Sequence, residues 1–186
     1  MNGYAQNIQK TYFDMVSGIV KEEFETTDGI TKNGKYTKFY DTGGIEIEGL
    51  HENDKKTGKW WYYHQNGNIE IDAHYKNDFP EGHWQYFYNS GALKMEGDFI
   101  EGQKHNEWKS FYENGTLKGI GDFNLGDGVF KEYYANGKPQ KNTTYNKGVQ
   151  EGTVEIFNTD GSMLQRAFYQ NGQLNDSLIL YYPNNR

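Results

Sequence analysis

The chain has 186 residues, 34% of them apolar and 17% aromatic, with 16 Tyr, 11 Phe, 4 Trp, 23 Gly, 3 Pro and no Cys. So many rings exclude a disordered polar chain, and the scarcity of Leu and Ala argues against a helix bundle. With 19 basic and 26 acidic residues the net charge is −7, which excludes the basic footprint of a nucleic-acid binder and disfavours docking on an anionic membrane.

Zero cysteine removes disulfides, zinc fingers and thiol catalysis. No apolar run reaches the length of a transmembrane helix. The opening stretch MNGYAQNIQKTYFD lacks a charged segment followed by an apolar one, so no signal peptide is read and a cytoplasmic location is the expectation.

Residues 1–33 fit no internal pattern and are read as a degenerate N-terminal cap. Within it, Val16 to Phe24 supply one strand, and residues 1–12 form a short helix or a loose arm. From residue 34 onward the chain repeats. Unit starts fall at Gly34, Gly58, Gly82, Asn106, Gly128, Gly152 and Asp176, at steps of 24, 24, 24, 22, 24 and 24 residues. Two positions after each start stands Tyr36, Trp60, Trp84, Trp108, Phe130, Val154 or Leu178. Five positions after it stands an aromatic residue in every unit: Phe39, Tyr63, Phe87, Phe111, Tyr133, Phe157 and Tyr181. Nine positions after it comes Gly43, Gly67, Gly91, Gly115, Gly137 or Gly161.

Asn66-Gly67, Asn114-Gly115 and Asn136-Gly137 are two-residue hairpin signals, read as type I′ turns in which both residues take positive φ. Each unit is therefore a strand, a turn and a second strand. The second strand alternates: Ile69, Ile71, Ala73 and Tyr75 against Glu70, Asp72 and His74. Period two with one apolar face predicts a half-buried strand. A small residue recurs on that face at Gly49, Ala73, Gly97, Gly121, Thr143 and Ala167, leaving room for a neighbouring ring. On the first strand the two ring columns are three residues apart and cannot share a flat face, which predicts a bulge or strong twist between them. A second turn joins the units at Asn77-Asp78, Glu101-Gly102 and Asn171-Gly172. The fourth unit is two residues short around Asn124–Asp127, which predicts a kink or a tighter connection there. The fold class is thus all-β, an elongated solenoid or meander of tandem β-hairpins over residues 34–182, without a separate second domain. Residues 183–186 are a C-terminal tail.

The pattern Gly58-Lys-Trp60-Trp-Tyr-Tyr63-His-Gln-Asn66-Gly67-Asn-Ile69, repeated as Gly82-His-Trp84-Gln-Tyr-Phe87-Tyr-Asn-Ser-Gly91-Ala-Leu93, resembles the bacterial MORN-repeat variant. The resemblance spans roughly residues 34–182. It implies a β-hairpin solenoid without catalytic residues, of a kind often labelled as the antitoxin component of toxin–antitoxin pairs. It is specific for the repeat and not for a function. Asn106, Phe130, Val154 and Pro139 depart from the pattern in the later units.

Searching for chemistry returns little. His51, His64, His74, His83 and His105 are read as solvated surface residues, with no HExxH or comparable metal spacing. No serine sits in a G-x-S-x-G setting, and no glycine loop feeds a helix as a phosphate loop requires. Neither a catalytic residue, a cofactor nor a metal is therefore expected. The outward positions of the second strands carry Glu46, Glu48, Glu70, Asp72, Glu96, Asp98 and Asp122. Read as a solubilising surface they need no partner. Read as a recognition stripe they favour a Lys/Arg-rich partner surface, such as that of a basic toxin. Tyr62, Tyr86, Tyr88, Tyr112 and Tyr134, near the turns, are candidate anchors for the same partner. The leading expectation is a non-enzymatic protein-binding repeat of antitoxin or immunity type. The alternatives are a membrane-associated or protein scaffold, and a small-ligand or carbohydrate binder using exposed rings.

Overall fold

A computed structural model describes residues 7–14 and 16–182. All regular structure among them is β. The chain divides into two compact units, Met1–Ala92 and Leu93–Arg186, with the boundary just after the Ser90-Gly91 turn of the third repeat. The first unit holds β1 (Asn7–Tyr12), β2 (Val20–Thr26), β3 (Gly34–Phe39), β4 (Ile45–Glu52), β5 (Lys55–Tyr63), β6 (Ile69–Lys76), β7 (Phe79–Pro80) and β8 (Gly82–Phe87). The second holds β9 (Leu93–Ile100), β10 (Gln103–Phe111), β11 (Leu117–Asn124), β12 (Asp127–Tyr133), β13 (Pro139–Asn146), β14 (Val149–Phe157), β15 (Met163–Gln170) and β16 (Gln173–Leu180). In each unit the strands pair antiparallel in chain order; the short β7 pairs only with β6. The meander expected over the repeats is therefore present, and it extends into the cap. Residues 7–12 form β1 rather than a helix or a loose arm, paired with β2. Residues 1–6 and the tail 183–186 lie outside the described residues.

In each unit the core lies on one face and follows the predicted columns. Trp60 and Trp108 are fully buried, with Tyr36, Trp84, Ala73, Val154 and Ala167 close behind. Register explains the alternation of large and small. Tyr36 pairs with Gly49, Trp60 with Ala73, Phe130 with both Gly121 and Thr143, and Val154 with Ala167. A Cβ on Gly49 would stand 2.3 Å from Cδ2 of Trp60, and one on Gly97 would stand 2.2 Å from Cδ2 of Trp108. Trp60, like Trp108, thus lies across the backbone of the preceding repeat's small residue. Each indole N–H is satisfied as well: Trp60 Nε1 donates to Leu50 O (3.1 Å), Trp84 to His74 O (3.0 Å) and Trp108 to Asp98 O (3.0 Å).

The bulge expected between the ring columns is present. Register shifts fall between Lys38 and Phe39, Tyr62 and Tyr63, Ser110 and Phe111, Glu132 and Tyr133, and Ile156 and Phe157. A second shift lies near the unit start, as between His105 and Lys109, where Gly58, Gly82, Asn106 and Gly152 take positive φ.

The two turns have exchanged identities. The paired positive-φ residues are Asn53-Asp54, Asn77-Asp78, Glu101-Gly102, Leu125-Gly126, Lys147-Gly148 and Asn171-Gly172, so the type I′ turns are the ones joining the repeats. At Asn66-Gly67 only the glycine is left-handed. The loop there is longer: Gly67 N donates to His64 O (2.9 Å) and His64 N to Asn68 O (2.8 Å). Asn66 serves as a side-chain acceptor for Asn68 N, as Asn114 does for Thr116 N and Asn136 for Lys138 N, which is the Asx-turn use of the residue. Successive I′ turns are tied to one another by backbone bonds, Asp78 N to Lys56 O in the first unit and Gly126 N to Lys104 O in the second.

The missing two residues of the fourth repeat do not shorten the turn itself. Leu125-Gly126 is the same I′ turn as elsewhere. What is lost is the bulge, because β11 and β12 pair without a shift from Gly119↔Glu132 to Asn124↔Asp127. Gly128 then has no positive φ to justify it; its added Cβ would meet Asp122 O at 2.3 Å, so crowding by the continuous ladder requires the glycine.

Replacing Trp60 by Ala should lower unfolding free energy by about 3–5 kcal/mol, read from denaturant melts with unchanged m-value. Gly97→Ala, whose methyl would enter the Trp108 ring, should cost about 1–3 kcal/mol, whereas Ala at Gly115 should act only through its backbone strain. Equal losses at the two glycines would refute the interlock.

Candidate functional site

The face opposite the buried rings carries most of the predicted acidic residues. In the first unit one row across the strands reads Thr37, Glu48, Trp61, Asp72 and Gln85, each opposite the next. Trp61, only partly buried, therefore stands between two carboxylates. Glu48 accepts a short hydrogen bond from the Tyr63 hydroxyl. That phenol is pushed up to about 12 by burial and by its bond to Glu48. Lys59 Nζ lies 3.8 Å from Asp72 and 5.8 Å from the Trp61 ring centroid. Glu46 pairs with Lys38 at 2.7 Å, and Glu70 is exposed. A cavity of about 300 Å³, lined by Thr37, Glu48, Leu50, Lys59 and Trp61 among others, opens beside this row.

The second unit carries no unbroken acidic stripe. Glu96 faces Lys109, and the row there runs on through Ile120, Lys131, Asn142, Glu155 and Arg166, a mixture of both signs and neutral residues. Asp98 is opposite His105 and accepts from Asn106 at 3.3 Å. Asp122 is opposite Glu107, a like-charge pair whose repulsion is relieved by Lys109 bound to Glu107. The carboxylates thus form a partly compensated surface, densest around Trp61. Trp61 is not among the anchors expected from the sequence. The signal for it is present: adjacent Trp60 and Trp61 on one strand must face opposite ways.

The predicted tyrosines are not beside these carboxylates. Tyr62 and Tyr86 follow Trp60 and Trp84 by two residues and share their face. Tyr62 Oη accepts from Lys56 Nζ (2.8 Å) and lies 2.9 Å from Tyr75 Oη; burial raises the phenol's pKa. Tyr86 packs 6.0 Å from Trp84 and is pushed up to about 12 by burial. Tyr112 donates to Tyr133 O (2.7 Å) and Tyr134 to Phe157 O (2.8 Å). These ties from one repeat to the next recur in the first unit, where Tyr40 bonds Tyr63 O and His64 Nε2 lies 3.1 Å from Phe87 O. Tyr88 occupies the same repeat position, and its backbone closes the turn on Ala92.

The histidines are not uniformly surface residues. His51 holds a ring position that recurs as Tyr75, Phe99, Phe123, Tyr145 and Tyr169. Its imidazole is edge-on to Tyr36 at 5.0 Å and to Trp60 at 4.9 Å, and its Nδ1 is buried without a partner. Burial is the foremost cause that pushes its pKa down to about 4, with Lys32 and Lys56 assisting against Asp78 and Asp54. His74 Nδ1 is likewise buried without a partner. Among the described residues no group of three or more His, Cys, Asp or Glu is placed to hold a metal ion, and no helix is long and apolar enough to cross a membrane.

The family model described as MORN repeat variant matches residues 56–77, 80–101, 104–124, 126–147 and 150–171, together more than half of the chain. No curated protein matches the chain.

His51 supplies a test of this packing. An ordinary histidine takes its proton near 6.5, whereas folded His51 takes it only near 4. Between those values the unfolded chain binds more protons, so stability present above 6.5 drains away as pH falls towards 4. His51→Phe, which keeps a ring in the column, should shrink the loss in denaturation midpoint between pH 7 and pH 4.5. An undiminished loss would place His51 in solvent.

Proposed function

We propose, because this chain belongs to the MORN repeat variant family, whose repeats are generally protein- or membrane-binding motifs, that it is a non-enzymatic protein-binding repeat whose outer face docks a Lys/Arg-rich partner surface. The observation that carries this reading is the row Glu48–Trp61–Asp72. An indole face between two carboxylates suits a guanidinium, which stacks on the ring and pairs with the flanking charges. Tyr63 holds Glu48 in place beforehand, which lowers the ordering cost of docking. The net charge of −7 steers a basic partner in and repels an anionic bilayer, so protein is favoured over membrane. Covering a functional surface of that partner is the antitoxin or immunity mode of action, in a cytoplasmic setting.

The test is binding to the product of an adjacent gene, co-expressed with the full chain. Retention should be strong near ~50 mM salt and should fall at least tenfold by ~500 mM, where exposed charges are screened beyond about 4 Å. Trp61→Ala and the pair Glu48→Gln, Asp72→Asn should each weaken it about tenfold or more while the circular dichroism spectrum stays unchanged. Salt-insensitive binding, or full affinity in both variants, would defeat the proposal for this face.

A further inference from the structure

The buried face holds a second pattern, a lysine two residues before the unit start at Lys32, Lys56 and Lys104. Each ammonium lies over rings of its own unit. Lys32 Nζ is 4.5 Å from the Tyr36 centroid and 3.3 Å from Glu22, which also accepts from Tyr36 Oη at 2.8 Å. Lys56 Nζ is 4.5 Å from Trp60 and 4.9 Å from Tyr75, and it donates to Tyr62 Oη at 2.8 Å. In both cases a phenol lies within reach of the lysine, and its oxygen is hydrogen-bonded to the lysine or to the lysine's carboxylate.

Lys104 has the rings without a phenol bonded to it, although Tyr145 lines the cavity beside it. Its Nζ is 4.3 Å from Trp108, 5.5 Å from Phe123 and 5.9 Å from Phe130. Six residues on, where Lys56 meets Tyr62, stands Ser110. Among the described residues Lys104 Nζ has neither a hydrogen bond nor an ion pair. Burial holds the ammonium below the usual lysine range. Beside it lies a cavity of about 260 Å³ lined by Met95, Phe123, Phe130, Glu132 and Tyr145 together with the Gly126 and Gly148 turns. Two of the walls follow from departures in the repeat. Glu132 stands where the second and third repeats have Tyr62 and Tyr86, and Gly126 stands at the lysine position, which Pro80 and Gln150 also leave without a lysine.

We infer that this cavity binds a phenol, whose ring packs against Phe123, Phe130 and Met95 and whose oxygen accepts a hydrogen bond from Lys104 Nζ. The chemistry of the walls selects it. A purely apolar guest leaves the half-buried ammonium without an acceptor. A carboxylate guest meets Glu132, and a cationic guest meets Lys104. A neutral phenol accepts from the lysine and offers its own proton to Glu132, repeating with a guest the Lys32–Glu22–Tyr36 grouping that the first unit builds internally. The guest is either a free small phenol or a tyrosine side chain on a polypeptide. The site lies on the ring-bearing face of the second unit and stands or falls independently of the outer-face reading.

The experiment is calorimetric titration of the full chain with p-cresol, toluene, and the acetylated amides Gly-Tyr-Gly and Gly-Phe-Gly. One-site saturation by p-cresol or by the tyrosyl peptide is expected, about tenfold or more tighter than by its counterpart lacking the hydroxyl. Saturation by the peptide alone assigns the phenol to a polypeptide, and saturation by p-cresol with or without it shows that the free phenol suffices. Lys104→Met should weaken the phenol about tenfold with the circular dichroism spectrum unchanged. Should that variant not fold, Glu132→Gln serves, with a loss of about threefold or more expected. No saturation by either phenol, equal binding of toluene and p-cresol, or unchanged affinity in the variant that folds overturns the inference.

Discussion

One contact recurs and everything else is arranged around it: a large side chain laid against a neighbouring strand's residue that has a small side chain or none. A methyl group added to Gly49 would stand 2.3 Å from Cδ2 of Trp60, and one added to Gly97 would stand 2.2 Å from Cδ2 of Trp108. A ring in that position excludes water from the strand beneath it and finds a carbonyl for its own N–H, so a large apolar area is buried with no polar atom left over. The arrangement needs two neighbouring strands in strict register, because a slip of one residue would turn the ring to the opposite face. It does not need a second layer. A sheet that buries its rings on one face can therefore hold together, with its other face left uncovered.

The ring column also sets what the turns must do. A ring two residues after the unit start and another three residues later can both be served only if the strand is bulged between them, and the register shifts at Tyr62/Tyr63 and Ser110/Phe111 supply this. The repeat-joining turns are I′ because both their residues are left-handed, matching the twist of the strands they connect. The wider turns at Gly67 or Gly115 need only one left-handed residue, and the asparagine before it closes the loop with its side chain.

The alternation, the small-residue column and the bulge are legible in the sequence because each is a spacing rule that sterics enforces. The turn types are not, since Asn-Gly and Asn-Asp satisfy the same φ requirement and loop length, which residue identity does not reveal, decides between them. His51 departs from expectation for a similar reason: the residue type suggests a surface group, while its repeat position, shared with Tyr75 and Phe99, sets its half-buried ring against Tyr36 and Trp60. The acidic residues are visible in the sequence, yet their partners are not. Lys109 opposite Glu96 and Lys59 near Asp72 belong to first strands, whose bulges displace the simple alternation that locates the carboxylates on second strands.

The fourth and fifth repeats show what happens when a spacing rule is relaxed. Removing two residues abolishes one bulge, keeps the I′ turn and brings the ladder of β11 and β12 into unbroken pairing. The continuous ladder crowds Gly128, the lysine position holds Gly126, and the phenol positions become Ser110 and Glu132. These changes remove large side chains from the ring face while retaining Lys104 and three of its rings. A repeat protein tolerates such a local loss because each strand packs on its immediate neighbours and the repeats on either side keep their own ring contacts. The departure from the repeat is therefore confined, and the cavity it leaves is lined by Lys104 and Glu132 together with several rings. Uniform repeats account for the stability of the sheet, and the places where the columns fail are where a specific guest has room to bind.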